Sequence, residues 1–523
     1  MDLGDGAARA TLDRAYVIQE TSFTDMIAKH TALIAFLGVA SGICTAQTAA
    51  DTRAKPNVLF IVCDDLNTHV SPSGYDAVAT PNLESLSREG MTFSHAFCQY
   101  PVCGPSRASL LSGLYPESTG VLDNKADIRE TRPGTLTIPE YFKENGYWTA
   151  STGKIFHTLK EDHGERAWNT PAQWFDNDEL PVVTRARKTF EAEHGSVNDP
   201  VNRKAWKEVE KTVSVPLISQ SSPVGHGPSG LTDEQHKDGK NARQIITWLK
   251  EQSYGEKPFF IALGIQKPHV PFLAPQKYFD MYPQDEIAFH RDDPNLWNSL
   301  PPSAKSGRYK DFGFELGKEN PALRRRYMQA YHACVSFLDA QIGLVLQELK
   351  NQGLWDNTII VLTSDHGYHL GEHFMWGKVT LFDIGAKVPF IVRAPGVTSA
   401  GSRSDAMVEL LDVFPTLTEL AGLEQPKELQ GASLVPVLKD PSRQGDKAYA
   451  YSVVTRGNKL GYAIRNQKWR YGKWPNGEEL YDLIADPHER NNLANINTYE
   501  KRLVEFRDVL AKRQKEAGVA CRQ

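Results

Sequence analysis

Two stretches almost 300 residues apart are built alike: "NVLFIVCDD" (57–65) and "NTIIVLTSDHG" (357–367) are unbroken apolar runs that close on acids. A run without polar alternation has no face to give to water. Each is therefore expected to be a strand buried on both sides, as in a parallel sheet covered by helices. "YWTASTGKIFH" (147–157) and "PFFIALGIQKPH" (258–269) repeat the pattern but end in cations. Ligands in such sheets bind beyond the carboxyl ends of the strands. Asp64 and Asp65, Lys154 and His157, Lys267 and His269, and Asp365 and His366 are thus expected along one edge.

Helical stretches separate these runs. "TIPEYFKENG" (137–146) has Thr137 as N-cap, Glu140 completing a capping box and Gly146 as a stop. Residues 321–350 predict a long covering helix with an apolar stripe through Tyr331, Cys334, Leu338, Val345 and Leu349. Residues 160–240 are charged, aromatic and broken by Pro and Gly without clear periodicity, as expected of an insertion near the site mouth or a lid. Past about 440, "KAYAYSVVTRG", "LGYAIRNQKWRYGKW" and "EELYDLIADP" predict short antiparallel strands. The expected fold is α/β: a large mixed, mostly parallel sheet sandwiched by helices over 56–440, then a smaller C-terminal antiparallel-sheet subdomain, α+β in character, over 441–523.

Lys and Arg total 59 against 64 Asp and Glu, a net charge of −5, which gives no general attraction to nucleic acid or an anionic membrane. An anionic substrate must be held by local cations. Residues 1–46 form an N-terminal extension in which Met26 is the expected start, since Lys29 and His30 precede the apolar run "TALIAFLGVASGI". That run reads as a signal peptide, so the chain is expected to be secreted or periplasmic. At 13 residues it falls short of a bilayer span, which takes about 20 residues. Removing Cys44 with it leaves Cys63, Cys98, Cys103, Cys334 and Cys521, an odd number that points to one reactive or modified cysteine.

Asp64, Asp65 and Asp365 at one edge repel one another unless a cation lies between them, and a divalent metal is the simplest resolution. Oxygen donors favour Ca²⁺ or Mg²⁺, whereas His366 would suit Mn²⁺ or Zn²⁺. A rival zinc group in "HGYHLGEH" combines His366, His369 and His373. In "QYPVCGPSRASLLSGLYP" (99–116), Pro105 pre-sets the first turn of a helix ending at Gly113, which puts Cys103 at its N-terminus. The helix field is expected to lower the thiol pKa and to attract an anion. Arg107, one turn in, can reach back to a bound oxyanion or to position 103.

Cys103-Gly104-Pro105-Ser106-Arg107, with Leu111-Ser112-Gly113 downstream, resembles the maturation motif of type I sulfatases of the alkaline-phosphatase-like superfamily. "TPNLESLSREGMTFSHAF", "SDHGYHLGEHFMWGK" and "ELYDLIADPHERNNL" resemble the same family in the same order, and "GKIFH", "KPHVPF" and "EHFMWGK" are most similar to its iduronate-2-sulfatase branch. The resemblance implies that a separate maturation enzyme oxidises Cys103 to formylglycine, whose hydrate attacks sulfur and later expels sulfate. It implies Asp64, Asp65, Asp365, His366 and residue 103 as ligands of a divalent ion, Ca²⁺ first, with Mg²⁺ or Mn²⁺ as alternatives. Arg107 and Lys154 would fix the formylglycine and the sulfate, and His157 would take the proton that drives sulfate elimination. His269 and Lys378 would bind sulfate at the bridging oxygen, with His269 protonating the leaving alcohol. Such a pocket, with three carboxylates, one divalent ion and three cations, is net positive and suited to an anion. His95, His369 and His373 lack this support and are expected to be structural.

The expected activity is hydrolysis of O-sulfate esters of a sulfated oligo- or polysaccharide. Candidates are a 2-O-sulfated uronate of heparan or dermatan type and an algal sulfated polysaccharide. Two alternatives are a phosphate or phosphonate monoester hydrolase of the same superfamily and a non-catalytic glycan-binding relative.

Overall fold

The computed structural model of the chain describes residues 55–158, 164–175, 180–214, 225–316, 318 and 320–518. The signal peptide expected from Met26 lies outside the described residues. Seven strands form the main sheet: β1 (Asn57–Asp64), β2 (Met91–Phe97), β3 (Trp148–Gly153), β4 (Phe259–Pro268), β5 (Thr358–Ser364), β6 (Phe390–Arg393) and β7 (Ser402–Glu409). Their spatial order is β7-β2-β6-β5-β1-β4-β3. β1 lies between β4 and β5 and is parallel to both, β3 is parallel to β4, and β2 to β7. β6 alone in this sheet runs against its neighbours.

The apolar runs are buried on both faces, and alternate residues serve different layers. Leu59, Ile61 and Cys63 pack with the helices Lys237–Lys250 and Pro321–Asn351. Val58, Phe60 and Val62 pack with Cys103–Ser112, Ile138–Glu144 and Val413–Leu420. The predicted stripe Tyr331, Cys334, Leu338, Val345 and Leu349 lies wholly in the first of these cores. The capping box forms as read: the Thr137 N–H donates to Glu140 Oε2 at 2.9 Å, and the helix starts at Ile138.

A second sheet comprises β8 (Ala450–Arg456), β9 (Lys459–Arg465), β10 (Trp469–Trp474) and β11 (Gly477–Asp482), all antiparallel. The helix Glu500–Glu516 covers it through Leu503, Phe506 and Leu510. β8 also grips the chain leading to Cys103. The Val453 N–H donates to the Gln99 carbonyl at 2.8 Å, Ser452 Oγ to the Cys98 carbonyl at 2.6 Å, and the Thr455 N–H to the Tyr100 hydroxyl at 2.8 Å.

The insertion departs from the sequence reading, which finds no periodicity there. The helices Pro181–His194 and Arg203–Ser214 pack on each other through Val183, Phe190 and Trp206, with Val197 of their connection in the same core. The signal was present in the second helix, where Trp206, Val209 and Val213 recur at helical spacing among charged residues and face the first helix. Among the described residues no helix is long and apolar enough to cross a membrane. Cys63, Cys98, Cys103 and Cys334 are all free and buried.

Candidate active site

The carboxyl ends of β1, β3, β4 and β5 adjoin one another, and the loops that follow them meet at the N-terminus of the helix Cys103–Ser112. Asp64 is the last residue of β1, and Asp65 takes a left-handed backbone, φ +69°. A non-glycine residue in that region is strained, and here the surroundings fix it. The Asp65 carbonyl accepts from the Tyr331 hydroxyl at 2.8 Å, while its N–H donates to Asp365 Oδ1 at 3.2 Å. Val379, next to Lys378, has a similar φ of +71°.

Cys103 is the centre of the cluster. Its Sγ lies 3.3 Å from Asp64 Oδ1 and 3.3 Å from His366 Nε2, and accepts from Lys378 Nζ at 2.9 Å. Lys378 Nζ also reaches Asp65 Oδ1 at 2.6 Å, and Lys154 Nζ reaches Asp64 Oδ2 at 2.7 Å. Burial opposes ionisation of Asp64, but Lys154 foremost, then His269 and Arg107, hold its carboxyl well below the usual range. Burial works against the Lys378 charge too, yet Asp65 and its neighbours raise its pKa well above that of a free lysine.

The helix field was expected to lower the Cys103 pKa. The thiol is instead pushed up to about 12, first by burial and then by Asp64. A helix terminus contributes only about half a charge, less than a buried carboxylate at hydrogen-bond distance. Arg107, buried, donates from Nε to Asp365 Oδ2 at 2.9 Å and from Nη1 to the carbonyls of both Lys154 and Ile155, while Nη2 faces Asp64 Oδ1 at 3.7 Å. It thereby ties the end of β5 to the turn after β3.

His269 donates from Nδ1 to the Val270 carbonyl at 2.7 Å, which leaves Nε2 facing Asp65 Oδ2 at 3.9 Å. His157 follows the turn after β3; burial and then Lys154 depress its pKa to about 4, and its Nδ1 has no partner among the described residues. Lys267 does not join the cluster. Its Nζ turns back to the Pro271 carbonyl at 2.8 Å, and its N–H donates to Asp238.

Two overlapping donor sets have all their atoms within 4.8 Å of one another: Asp64, Cys103, Asp365 and His366, and Asp64, Asp65, Cys103 and His269. The His366 Nδ1–H is spent on the Gly367 carbonyl at 2.9 Å, so its Nε2 lone pair points into the first set. Asp65 Oδ2 is buried without a hydrogen-bond donor. These features fit a divalent cation held mainly by oxygen. His269 among the donors was not expected from the sequence. The rival zinc group does not assemble: His369 Nε2 pairs with Thr380 Oγ1 at 2.7 Å, and His373 Nε2 with the His488 carbonyl at 2.9 Å. Glu372 accepts the Leu370 N–H at 2.6 Å within its own loop.

Sequence reasoning missed several supports. Ser106 Oγ donates to the Asp365 carbonyl, and Ser364 Oγ accepts the Leu66 N–H at 2.9 Å and donates to the His366 carbonyl at 2.9 Å. Both serines lie inside the quoted motifs, which was the available signal. Asn124 carries no such signal, yet its Oδ1 accepts the Gly104 N–H at 2.9 Å and lies where a Cβ at 104 would collide. Trp174, Phe175 and Lys237 line a 50 Å³ recess beside Lys154.

Residues 56–423 match the protein family described as Sulfatase, and residues 371–516 match the family described as N-sulphoglucosamine sulphohydrolase, C-terminal. A sulfatase of Formosa agariphila is 34% identical over 492 residues, covering 90% of each chain. The iduronate 2-sulfatase of Homo sapiens is 29% identical, covering 87% of this chain and 95% of its own. The phosphonate monoester hydrolase structure of Agrobacterium radiobacter superposes with a TM-score of 0.72 at 24% identity, covering 88% of this chain and 96% of its own, and so shares the fold. With a family match running from β1 through the motif at Cys103 to the loops after β5, the chain belongs to the sulfatase family.

Proposed function

We propose that this protein is a secreted or periplasmic sulfatase that hydrolyses O-sulfate esters of a sulfated carbohydrate, with residue 103 matured to formylglycine. One observation carries the reading: Cys103 sits at a helix N-terminus between Asp64, His366 and Lys378, in a motif that resembles the sulfatase maturation sequence, and burial pushes its pKa away from the thiolate that a cysteine nucleophile needs. A cysteine so placed makes sense as a precursor.

Asp64, Asp65, Asp365 and His366 would hold a divalent ion, for which Ca²⁺ suits the oxygen-rich set. When present, the ion and the aldehyde hydrate supply Lewis-acid polarisation and a nucleophilic oxygen. Lys154 and Lys378, whose ammonium groups lie beside Asp64, Asp65 and Cys103, would bind sulfate oxygens. His269, with Nδ1–H fixed on a carbonyl, offers Nε2 as the proton donor to a leaving alcohol when protonated. His157, neutral at ordinary pH, suits a proton acceptor. Arg107 orients Asp365 and the Lys154 turn.

The charge balance favours sulfate over phosphate: three carboxylates face Arg107, Lys154 and Lys378, so one divalent ion leaves a moderate positive excess. A phosphate dianion would call for more. The likeness to iduronate 2-sulfatase supports a 2-O-sulfated uronate as the first substrate to try. Paired assays on aryl sulfate and aryl phosphate test the class, and preference for phosphate would overturn it. Cys103→Ala should abolish turnover without changing the circular dichroism, and active protein should carry a formylglycine mass at position 103. Full activity with an intact thiol would rule the mechanism out.

A further inference from the structure

The helix Cys103–Ser112 begins without a cap of its own. Val102 stands at the N-cap position with an extended backbone and an apolar side chain, so it offers no oxygen to the free N–H groups of the first turn. Pro105 has no N–H, and the Ser106 N–H reaches the Val102 carbonyl at 3.0 Å. The donors of Cys103 and Gly104 are left. Asn124 supplies the cap from outside the helix, its Oδ1 accepting the Gly104 N–H at 2.9 Å. The Cys103 N–H has no partner among the described residues.

The loop that carries Asn124 is held on both sides of it. The Leu122 carbonyl accepts the Tyr100 hydroxyl at 2.8 Å, and Thr455 of β8 donates its N–H to the same hydroxyl at 2.8 Å. Asp123 Oδ1 accepts the N–H groups of Lys125 and Ala126 at 2.7 and 2.9 Å, so this carboxylate is turned onto its own loop. A Cβ at 104 would come within 2.9 Å of Asn124 Oδ1, which shows how closely the loop lies against the turn. Asn124 itself is exposed, one hydrogen bond away from the residue that follows the buried Cys103.

Asn and Asp cap helices about equally well, and the positive end of the helix field favours the carboxylate. On stability alone Asp would serve at 124. It would also add a negative charge at the helix end where an anion can bind, near Asp64, Asp65 and Asp365. We propose that Asn124 is a positioning residue that caps this helix with a neutral group, fixing the first turn without opposing the anion bound at residue 103. The amide leaves the helix terminus and the Cys103 N–H available to that anion. That the anion is the sulfate of a substrate rests on the functional reading above.

The test compares Asn124→Asp and Asn124→Ala with the unsubstituted chain. Melting of the unmatured chain should be no lower for Asn124→Asp and a few degrees lower for Asn124→Ala, since only the second leaves the Gly104 N–H uncapped. Calorimetric binding of inorganic sulfate to the Ca²⁺-supplemented chains should be at least about fivefold weaker for Asn124→Asp, a gap that narrows as salt is raised. Asn124→Ala should bind sulfate within about twofold of the unsubstituted chain or more tightly, because it adds no charge. In matured protein, Asn124→Asp should raise KM for aryl sulfate by a larger factor than it lowers kcat. Equal sulfate binding and equal KM for Asn124→Asp and the unsubstituted protein would overturn the proposal. Fivefold weaker binding by Asn124→Ala would overturn it too, and that variant decides the matter if Asn124→Asp does not fold. Failure of the functional reading looks different: the unsubstituted matured protein would then cleave no sulfate ester.

Discussion

At position 103 a thiol lies 2.9 Å from a lysine ammonium, yet burial and then the Asp64 carboxylate push its pKa up to about 12, outweighing that cation and the helix terminus together. The balance among close charges, more than any one of them, sets the chemistry of this edge. Lys154 pairs with Asp64 at 2.7 Å in a nearly closed site, so Lys154→Met should lower kcat/KM for a sulfate ester by about 10²–10³. Steady-state kinetics of matured protein checks this, and an effect confined to KM would argue against an anion clamp. His69 and His369 supply a pH dependence of another kind. Burial depresses both to about 3 from 6.5, so the unfolded chain takes up protons between those values that the folded chain refuses. Their neutral packing contributes fully above pH 6.5 and is lost progressively as pH falls toward 3. The slope is about 1.4 kcal/mol per pH unit for each histidine. Thermal unfolding between pH 4 and 7 should therefore fall more gently for His369→Gln than for the unsubstituted protein.

At the scale of elements, the helix Pro321–Asn351 does more than cover the sheet. The Tyr331 hydroxyl on its buried stripe accepts the Asn67 N–H at 2.9 Å and donates to the Asp65 carbonyl at 2.8 Å, bracing the left-handed turn after β1. Tyr331→Phe leaves two buried backbone groups without partners, at a cost of about 1–3 kcal/mol each at most. It should lower the melting temperature by several degrees and reduce kcat more than KM, since the turn aims Asp65. Equal melting temperatures would show that the turn holds without the hydroxyl. The periodicity of 321–350 identified the stripe but not this role, because a tyrosine in an apolar row looks the same whether its hydroxyl is used or not.

At the scale of the molecule, β8 holds residues 98–100, the run into Cys103, through hydrogen bonds from Ser452, Val453 and Thr455. The buried Lys447, paired with Glu409 and Asp412, adds a second tie between the main sheet and the residues before β8. Deleting 446–523 should thus yield no soluble catalytic core, and calorimetry of the full chain should show one cooperative transition. Separate transitions for the two sheets would contradict this coupling.

The sequence by itself determined the strands and the residue types at their ends. An apolar run such as 57–63 can be buried on both faces in only a few ways, and a motif such as Cys103 to Arg107 carries its chemistry in adjacent residues. Tertiary structure decided which way each end group faces. Lys267 and His269 share a strand end, yet one turns to the Pro271 carbonyl and the other to Asp65. It also decided the direction in which burial moves the thiol pKa, the donors of Arg107 and the packing of 181–214. Each of these depends on through-space charge and burial among residues distant in the chain, and those distances exist only once the chain is folded.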